Sequence, residues 1–306
     1  MSEDPRFPLT KLLAALKARN YHFITPTPAT HARAIARRQA ADDLRDVFGW
    51  SLPFDYTDFD LEIFAALQKA NAVDPQGAWL KSRVRVSSLD DDFFLHSAYP
   101  TTQQDAVFFG PDSYRFAAFL KAELPGLGAR KCIVDIGSGS GVGAIVAAKI
   151  IKPESVWLVD INGRALELAM ANAAFADIES ALIFSQTSGV PAEASPDLII
   201  ANPPYIADPL HRAYRDGGAM RGAALSLDWA RQAAEKLAPG GAFLLYTGSA
   251  IVNGQDRFKA ALLETLRDFD VSYRELDPDV FGEELEREDY ADVERIAVVG
   301  VAAVKR

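Results

Sequence analysis

The hydrophobic positions in the first part of the chain have a helical spacing. Between residues 9 and 70, apolar side chains recur mostly at intervals of three or four, the pattern of an amphipathic helix. Thr10, Thr30 and Asp60 each precede a separate apolar stretch. Each predicts the start of a helix, because its side-chain oxygen can accept a hydrogen bond from a free backbone N–H group. We expect the helix after Thr30 to run to about Phe48.

The spacing then changes to that of strands. Residues 79–86 alternate between apolar and polar, and residues 93–95 and 107–109 are short apolar runs, both typical of β-structure. Helices followed by a small antiparallel sheet predict an α+β domain. We expect this domain to cover residues 1–106, to recognise the substrate, and to have a winged-helix-like arrangement as one candidate.

From residue 131 onward, apolar runs of strand length alternate with helical patterns. The predicted strands are residues 131–136, 156–159, 181–184, 198–201, 242–246, 271–276 and 296–304. The predicted helices are residues 144–151, 164–175, 225–237 and 257–269. This alternation predicts an α/β domain with a doubly wound, mostly parallel sheet over residues 107–306. Such sheets bind ligands outside the carboxyl ends of their strands.

A glycine-rich loop follows the first of these strands and opens a helix. It reads Asp135-Ile-Gly-Ser-Gly-Ser-Gly141, and its glycines let the backbone approach a ligand closely at the positive end of a helix. Asp160, at the end of the next strand, is placed to accept both hydroxyl groups of a ribose. Residues 139–144 also satisfy the G-x-G-x-x-A dinucleotide pattern, so these residues alone leave NAD and S-adenosylmethionine both open.

The motif Asn202-Pro203-Pro204-Tyr205 follows the buried run of residues 198–201. Two prolines remove two backbone donors and hold the chain extended, so that no helix or strand continues through them. The Asn202 side-chain oxygen and a proline carbonyl are both acceptors and together suit a planar NH2 group, with Tyr205 able to cover its π face. Asn-Pro also occurs in ordinary turns.

These three motifs, in this order and spacing, resemble those of class I S-adenosylmethionine-dependent methyltransferases. The Asn-Pro-Pro-Tyr motif is similar to that of the HemK/PrmC group, which methylates a protein glutamine, and of related small-domain enzymes that methylate guanine or adenine. The resemblance covers residues 107–304 and implies a seven-stranded Rossmann-like methyltransferase sheet. An NAD enzyme does not require the Asn-Pro-Pro-Tyr motif, which makes that reading remote.

The resemblance also implies roles for individual residues. Asn202, Pro203, Pro204 and Tyr205 would form the catalytic platform. The predicted cofactor-binding residues are Asp135, Gly137, Ser138, Gly139 and Gly141 in the glycine loop, Asp160 for the ribose, Ile161, Gln186, Thr187 and Ser188 around the adenine, and Phe109 and Pro111 in a segment that covers the cofactor. The loop at residues 186–188 lacks the acidic residue that the family often has there.

Composition excludes several other kinds of site. Cys132 is the only cysteine, so neither an intramolecular disulfide nor a cysteine-based zinc site is expected. The four histidines have no ligand spacing, and we expect no metal. The acidic amino terminus lacks an apolar signal segment and no run reaches membrane-spanning length, so we expect a cytoplasmic protein.

Charge bears on the methyl acceptor. The net charge of −10 disfavours broad nucleic-acid binding, which depends on Lys and Arg, and favours a protein glutamine. The first hundred residues are relatively basic, which keeps an amine of guanine or adenine in RNA or DNA open, and a small molecule is a third alternative. We expect residues 214–222 to form a mobile loop over the substrate or a plain surface loop, and the acidic run 283–289 to be a solvated loop.

Overall fold

The first part of the chain folds into four helices followed by two hairpins. The computed structural model describes residues 6–178, 182–208, 210, 212 and 214–306. The helices are α1 (Arg6–Ala18), α2 (Pro28–Ile35), α3 (Leu44–Phe48) and α4 (Leu61–Lys69). The strands β1 (Val73–Gln76) and β2 (Trp79–Ser82) form one antiparallel pair, and β3 (Val84–Leu89) and β4 (Asp92–Ser97) form the other. The small antiparallel sheets are as predicted, and the winged-helix arrangement stays a prediction.

Of the three helix starts predicted from capping residues in this part, one is confirmed and two are wrong. Asp60 caps α4 as predicted, accepting hydrogen bonds from two backbone N–H groups. The expected starts at Thr10 and Thr30 are wrong, because α1 begins at Arg6, and Thr27, followed by Pro28, caps α2. Proline suits the first helical position, because its φ angle is already helical and the N–H group that it lacks would have no partner within the helix.

The long helix expected after Thr30 is interrupted. Helix α2 ends at Ile35, and Asp43 caps the separate helix α3 by accepting a hydrogen bond from the Asp46 N–H at 2.9 Å. This cap satisfies a backbone N–H group at the start of α3, so a new helix begins there after the non-helical residues 36–43. The Ala-rich and Arg-rich sequence is therefore two helices with a turn between them.

Of the strand predictions in this part, the one for residues 79–86 is confirmed with a break, and the one for residues 107–109 is wrong. Residues 79–86 form two strands, because the Ser82 hydroxyl donates to the Val84 carbonyl at 2.7 Å and turns the chain between them. Residues 107–109 form no strand. Val107 accepts a hydrogen bond from the Ser97 N–H at 3.0 Å, after which the chain turns to begin the next helix at Pro111.

The second part alternates strands and helices, as predicted. The helices are α5 (Pro111–Glu123), α6 (Val142–Ile151), α7 (Gly163–Phe175), α8 (Ala224–Lys236) and α9 (Arg257–Thr265). The strands are β5 (Cys132–Ile136), β6 (Ser155–Val159), β7 (Leu182–Ser185), β8 (Leu198–Ala201), β9 (Ala242–Val252), the short β10 (Gln255–Asp256), β11 (Phe269–Asp277) and β12 (Arg295–Lys305). Residue 181, the predicted start of the third strand of this part, lies outside the described residues.

These strands form one sheet in the order β11-β12-β9-β8-β5-β6-β7, with β10 paired to β9. Strands β5 to β9 pair in parallel, whereas β12 runs antiparallel to both of its neighbours. The order reverses between β5 and β8, where a doubly wound sheet opens a crevice for ligands. The predicted doubly wound, seven-stranded Rossmann-like sheet is confirmed.

The two parts share a hydrophobic core. Helices α1 and α4 and strands β3 and β4 pack in one cluster of buried residues with Ala165, Leu168 and Ala171 of α7. Asn172 of α7 is fully buried, accepts a hydrogen bond from the Leu95 N–H at 2.8 Å and donates to the Leu95 and Ser140 carbonyls at 3.2 and 2.9 Å. This side chain therefore joins the amino-terminal hairpin to the glycine loop. A domain boundary at residue 106 stays a prediction.

Candidate active site

The three sequence motifs leave the sheet at the same level. Ile136, the last residue of β5, is paired with Val159, the last residue of β6, and with Ala201, the last residue of β8. Gly137, Asp160 and Asn202 are the next residues of these strands. Strand register alone therefore brings the glycine loop, the acidic residue and the Asn-Pro-Pro-Tyr motif to one edge of the sheet.

The glycine loop is tied to β6 and closely packed. The Gly137 and Ser138 N–H groups both donate to the Val159 carbonyl, at 2.8 and 3.0 Å. Gly137 has a φ of +68°, and a Cβ placed there would stand 2.5 Å from the Trp229 ring. A side chain at this position would therefore be strained and would clash.

Asp160 is held in position by backbone donors on both sides. Its Oδ2 accepts from the Gly139 N–H at 2.9 Å, and its Oδ1 accepts from the Asn162 N–H at 2.8 Å. Burial raises the pKa of Asp160, although these hydrogen bonds oppose the shift. Each oxygen keeps further acceptor capacity for a ribose hydroxyl.

Asp135 is a buried carboxyl group that has no basic partner among the described residues. Its Oδ2 accepts from the Ala144 N–H at 2.8 Å, at the first turn of α6. Burial, and to a smaller extent the charge of Asp160, raises its pKa to about 8. Gly143 makes the close approach possible, since a Cβ there would stand 2.9 Å from the carboxylate. A cationic ligand group beside Asp135 would favour its ionised form.

A cavity of about 240 Å³ joins these residues. Most of the predicted site residues line it, namely Asn202, Pro203, Pro204, Tyr205, Asp135, Gly137, Ser138, Gly139, Asp160, Ile161, Thr187 and Ser188. Ile161 is 54 % exposed, which leaves an apolar side chain free at the cavity rim to contact a flat ring.

Four predicted cofactor residues do not line this cavity. Gly141 packs against α7, and a Cβ atom added to it would stand 3.1 Å from the Cβ atom of Ala169. The Gln186 side chain donates to the Ile161 carbonyl at 3.1 Å. Phe109 is buried in a stack with Phe94, and Pro111 opens α5. Their cofactor contacts stay predictions.

The Asn-Pro-Pro-Tyr motif presents free acceptors to the cavity. Neither the Asn202 side chain nor the Pro203 carbonyl has a hydrogen-bond partner among the described residues. Tyr205 is 7 % exposed, and its ring meets Phe281 edge-on with centroids 5.8 Å apart. Its hydroxyl forms no hydrogen bond of regular geometry in the part of the chain that the structure describes, and burial, together with the nearby Asp112 carboxylate, raises its pKa well above the usual value.

Several cavity residues are not apparent from the sequence. Phe108 lines the cavity, as does Asp112, which ends the segment 109–112 that the resemblance places over the cofactor. The Tyr246 hydroxyl donates to Asp112 Oδ1 at 2.9 Å, and burial raises the pKa of Asp112. Trp229 comes from α8 and donates its indole N–H to the Ser188 carbonyl at 3.3 Å. A helical residue so distant in sequence gives no local signal of its place in a site.

Most of the acidic run 283–289 is exposed, as predicted for a solvated loop, but one of its acidic residues is not. Glu284 is buried and pairs with Arg215 and Arg287. The Tyr290 hydroxyl accepts from the Ala207 N–H at 2.9 Å and donates to the Arg221 carbonyl at 3.2 Å. Residues 281–292 therefore hold the loop that follows the Asn-Pro-Pro-Tyr motif against the cavity. We call these contacts the 281–292 latch.

The described residues include neither a metal-binding cluster nor a membrane-spanning helix. Within the described ranges, no group of three or more His, Cys, Asp or Glu side chains could hold a metal ion. No helix of the described chain is both long enough and apolar enough to span a bilayer.

Comparison with solved structures supports the fold. The chain is similar to Trm5b from Pyrococcus abyssi, with a TM-score of 0.51 and 14 % identity over 79 % of this chain and 68 % of that one. It is also similar to the tRNA m1G37 methyltransferase of Methanocaldococcus jannaschii, with a TM-score of 0.50 and 16 % identity over 74 % of this chain and 60 % of that one. At such identities the likeness concerns the fold alone.

Curated relatives match in sequence over part of their length. A release factor glutamine methyltransferase from Koribacter versatilis is 34 % identical over 133 residues, which are 40 % of this chain and 48 % of that protein. One from Fusobacterium nucleatum is 43 % identical over 76 residues, which are 24 % of this chain and 22 % of that protein. The chain therefore spans about half or less of the length of these relatives.

The family profile matches a larger share of the chain. The profile of the methyltransferase small domain matches residues 104–272, a range that contains the glycine loop, Asp160 and the Asn-Pro-Pro-Tyr motif. The cavity residues also fit the cofactor of that family, since Asp160 offers acceptors for a ribose and Asp135 a carboxyl group for a cation. The chain therefore belongs to the methyltransferase small-domain family of S-adenosylmethionine-dependent enzymes.

Proposed function

We propose that this protein methylates a planar NH2 nitrogen, with the side-chain amide of a protein glutamine as the acceptor. One observation carries the proposal. The Asn202 carboxamide, which has no hydrogen-bond partner among the described residues, lines the same cavity as the glycine loop and Asp160. An amide oxygen left free beside a cofactor cradle is suited to bind the hydrogens of another NH2 group.

The cofactor assignment follows the donors and acceptors of the cavity. Asp160 would accept hydrogen bonds from the ribose hydroxyls, Ile161 would contact the adenine, and Asp135 would face the cationic methionine end. Gly137 and Gly139 would pass beneath it. When bound, S-adenosylmethionine supplies a methyl group that its sulfonium charge makes electrophilic.

The proposed catalysis rests on how Asn202 and Pro203 hold the acceptor. An amide nitrogen is a poor nucleophile, because its lone pair is delocalised into the π system. Hydrogen bonds from its NH2 group to Asn202 Oδ1 and the Pro203 carbonyl would strengthen as positive charge develops on the nitrogen, so they favour the transition state over the ground state. Tyr205 would cover one face of the amide. Holding the acceptor in line can lower the barrier by up to roughly 7–11 kcal/mol.

Two observations favour a protein acceptor. The relatives that match over part of the chain are named as release factor glutamine methyltransferases, and a net charge of −10 disfavours the phosphate backbone of a nucleic acid. A release factor from the same organism is the first acceptor to test. We propose that residues 1–106 contribute to its recognition. A cytoplasmic location stays a prediction.

The test follows a radioactive methyl group. The purified full chain is incubated with cell extract and S-adenosylmethionine labelled with tritium in the methyl group, and the product is divided between protease and nuclease treatment. Label that protease releases and nuclease does not supports the proposal. Complete digestion with peptidases should then yield N5-methylglutamine, whereas acid hydrolysis should cleave the methylated side-chain amide and release the label as methylamine. Label that nuclease releases and protease does not would mean that a nucleobase amine is the acceptor.

A further inference from the structure

A second cavity, of about 260 Å³, lies beside the candidate active site. It is lined by residues of the amino-terminal part, among them Arg85 of β3, and by the loop that follows the Asn-Pro-Pro-Tyr motif. Phe108, Tyr214 and Arg215 line both cavities, so the two lie side by side. We call this second space the Arg85 cavity.

Arg85 is a buried cation that has no counter-ion among the described residues. The residue is only 4 % exposed, and its guanidinium group forms no ion pair within the part of the chain that the structure describes. Its Nε donates to the Ser97 carbonyl at 3.1 Å, and its Nη1 contacts His31 Nδ1 at 3.4 Å. Burial lowers its pKa to about 10, since burial without a partner disfavours the charged form.

His31 cannot take the place of a counter-ion, but it orients the guanidinium. Its Nε2 lies 2.9 Å from the Trp50 carbonyl and must donate to it, which leaves Nδ1 as an acceptor for Arg85. Burial and the charge of Arg85 lower the pKa of His31 to about 4, so the ring is neutral. The Arg85 Nη2 group has no hydrogen-bond partner among the described residues.

The other cations around the Arg85 cavity are already neutralised or engaged. Arg212 pairs with Asp208 at 2.6 Å, and Arg215 pairs with Glu284. Lys81 does not line the cavity and donates its ammonium to the Tyr99 carbonyl at 2.8 Å. None of the described residues that line the cavity is acidic. In a protein whose net charge is −10, Arg85 is thus the one cation without a carboxylate partner among the described residues that line this cavity.

We propose that the Arg85 cavity binds a carboxylate carried by the methyl acceptor, and so selects acceptors with an acidic group near the methylated amide. The selection of acceptors rests on the proposed function, whereas the binding of a carboxylate does not. A single free guanidinium edge matches a monoanion. A phosphate dianion would need a second free cation, and the two nearest arginines are paired.

The binding test uses small probes and needs no methyl transfer. The full chain is titrated calorimetrically with benzoate, with its neutral analogue benzamide, and with inorganic phosphate. We expect saturable binding of benzoate, weak or no binding of benzamide, and a loss of benzoate affinity of roughly tenfold or more in Arg85→Gln, because a hydrogen bond to a charged group is removed. Arg33→Gln, a change of an exposed arginine on α2, should bind benzoate normally.

Several results would overturn the inference. These are absence of saturable benzoate binding, equal affinity for benzamide, or unchanged benzoate affinity in folded Arg85→Gln. Phosphate binding more tightly than benzoate would replace the carboxylate with a phosphate. Arg85→Lys keeps the charge and should retain part of the affinity, which separates loss of binding from loss of folding.

A second experiment tests the selection of acceptors. Two peptides are compared, one with glutamate and one with glutamine beside the acceptor glutamine. The glutamate peptide should have the lower KM in the wild type, and the difference should vanish in Arg85→Gln. Equal KM values in the wild type would refute the selection. If no peptide is methylated but benzoate binding depends on Arg85, the proposed function fails and the carboxylate site remains.

Discussion

Gly248 of β9 lies directly beneath the ring of Tyr205. A Cβ built on Gly248 would stand 2.2 Å from Tyr205 Cδ2, well inside van der Waals contact. The Tyr205 ring therefore packs against the backbone of Gly248 on one side and contacts the Phe281 ring on another. In the proposed function this support determines where the ring covers the acceptor.

Gly248→Ala should impair turnover without impairing cofactor binding. The added methyl group must displace the Tyr205 ring, and a shift of about 1 Å in a catalytic group can reduce turnover up to about 100-fold. Kinetics of methyl transfer and calorimetric titration of S-adenosylmethionine measure the two effects separately. Gly126→Ala is the matched control, because a Cβ there meets nothing within 4 Å. Normal turnover in Gly248→Ala would mean that the position of the ring is unimportant.

Asn202→Ala should lower kcat about 10²–10³-fold, as the loss of an oriented acceptor in a transition state typically does. The affinity for S-adenosylmethionine should change little, because the cofactor is assigned to the glycine loop and Asp160. Single-turnover methyl transfer gives the rate, and equilibrium dialysis gives the affinity. A variant with near-normal turnover would contradict the proposed role of Asn202.

Asp135→Asn should stabilise the protein without cofactor at pH 8. The folded-state pKa of about 8 is raised above the ordinary 3.8, so the two states differ in protonation between these values. As pH rises through this window, the unfolded chain loses the proton first and wild-type stability falls. Asparagine keeps an acceptor for the Ala144 N–H and does not ionise. Thermal melts should show a Tm gain that grows from pH 4 to pH 8 and is absent below pH 4.

The same substitution should weaken cofactor binding. A cationic group beside Asp135 favours the carboxylate, so wild-type affinity for S-adenosylmethionine should rise as pH increases toward 8. Asp135→Asn should bind more weakly and should lack that part of the pH dependence. Titrations of both proteins at pH 6, 7 and 8 give the comparison. Parallel pH profiles would show that Asp135 does not face the cation.

Tyr290→Phe should loosen the 281–292 latch. The change removes the acceptor of the Ala207 N–H and the donor to the Arg221 carbonyl, while the ring can remain buried. We expect a higher KM for the methyl acceptor and an unchanged affinity for S-adenosylmethionine. Hydrogen exchange should increase in residues 206–208 and 214–222. Tyr273→Phe, which removes a hydrogen bond to Asp256 elsewhere, serves as the control.

Asn172→Ala should destabilise the fold by about 3 kcal/mol, because it leaves the N–H and carbonyl of Leu95 and the carbonyl of Ser140 without partners in a buried site. Urea unfolding measures the change. Gln68→Ala, an exposed position on α4, should alter stability by no more than about 0.5 kcal/mol. Equal effects would show that the carboxamide of Asn172 is unimportant for joining the two parts.

The helices and strands around the cavity were largely predictable, whereas several residues that complete it were not. Asp60 predicts the start of α4 correctly, because capping depends only on residues that are neighbours in the sequence. Asp43 and Thr27 interrupt or shift helices that the hydrophobic spacing alone would place elsewhere. Trp229, Asp112 and the 281–292 latch reach the cavity through folding, and their contacts join residues far apart in the chain.

The sequence by itself determined the order of strands and helices, the glycine loop, Asp160 and the Asn-Pro-Pro-Tyr motif, because buried runs and backbone breakers act locally. Only the tertiary structure decided that Ile136 aligns these motifs through Val159 and Ala201, and that Asn172 joins the amino-terminal hairpin to the glycine loop. It also buried Arg85 with no counter-ion in the part of the chain that the structure describes. Long-range register and packing set these relationships, and no local pattern encodes them.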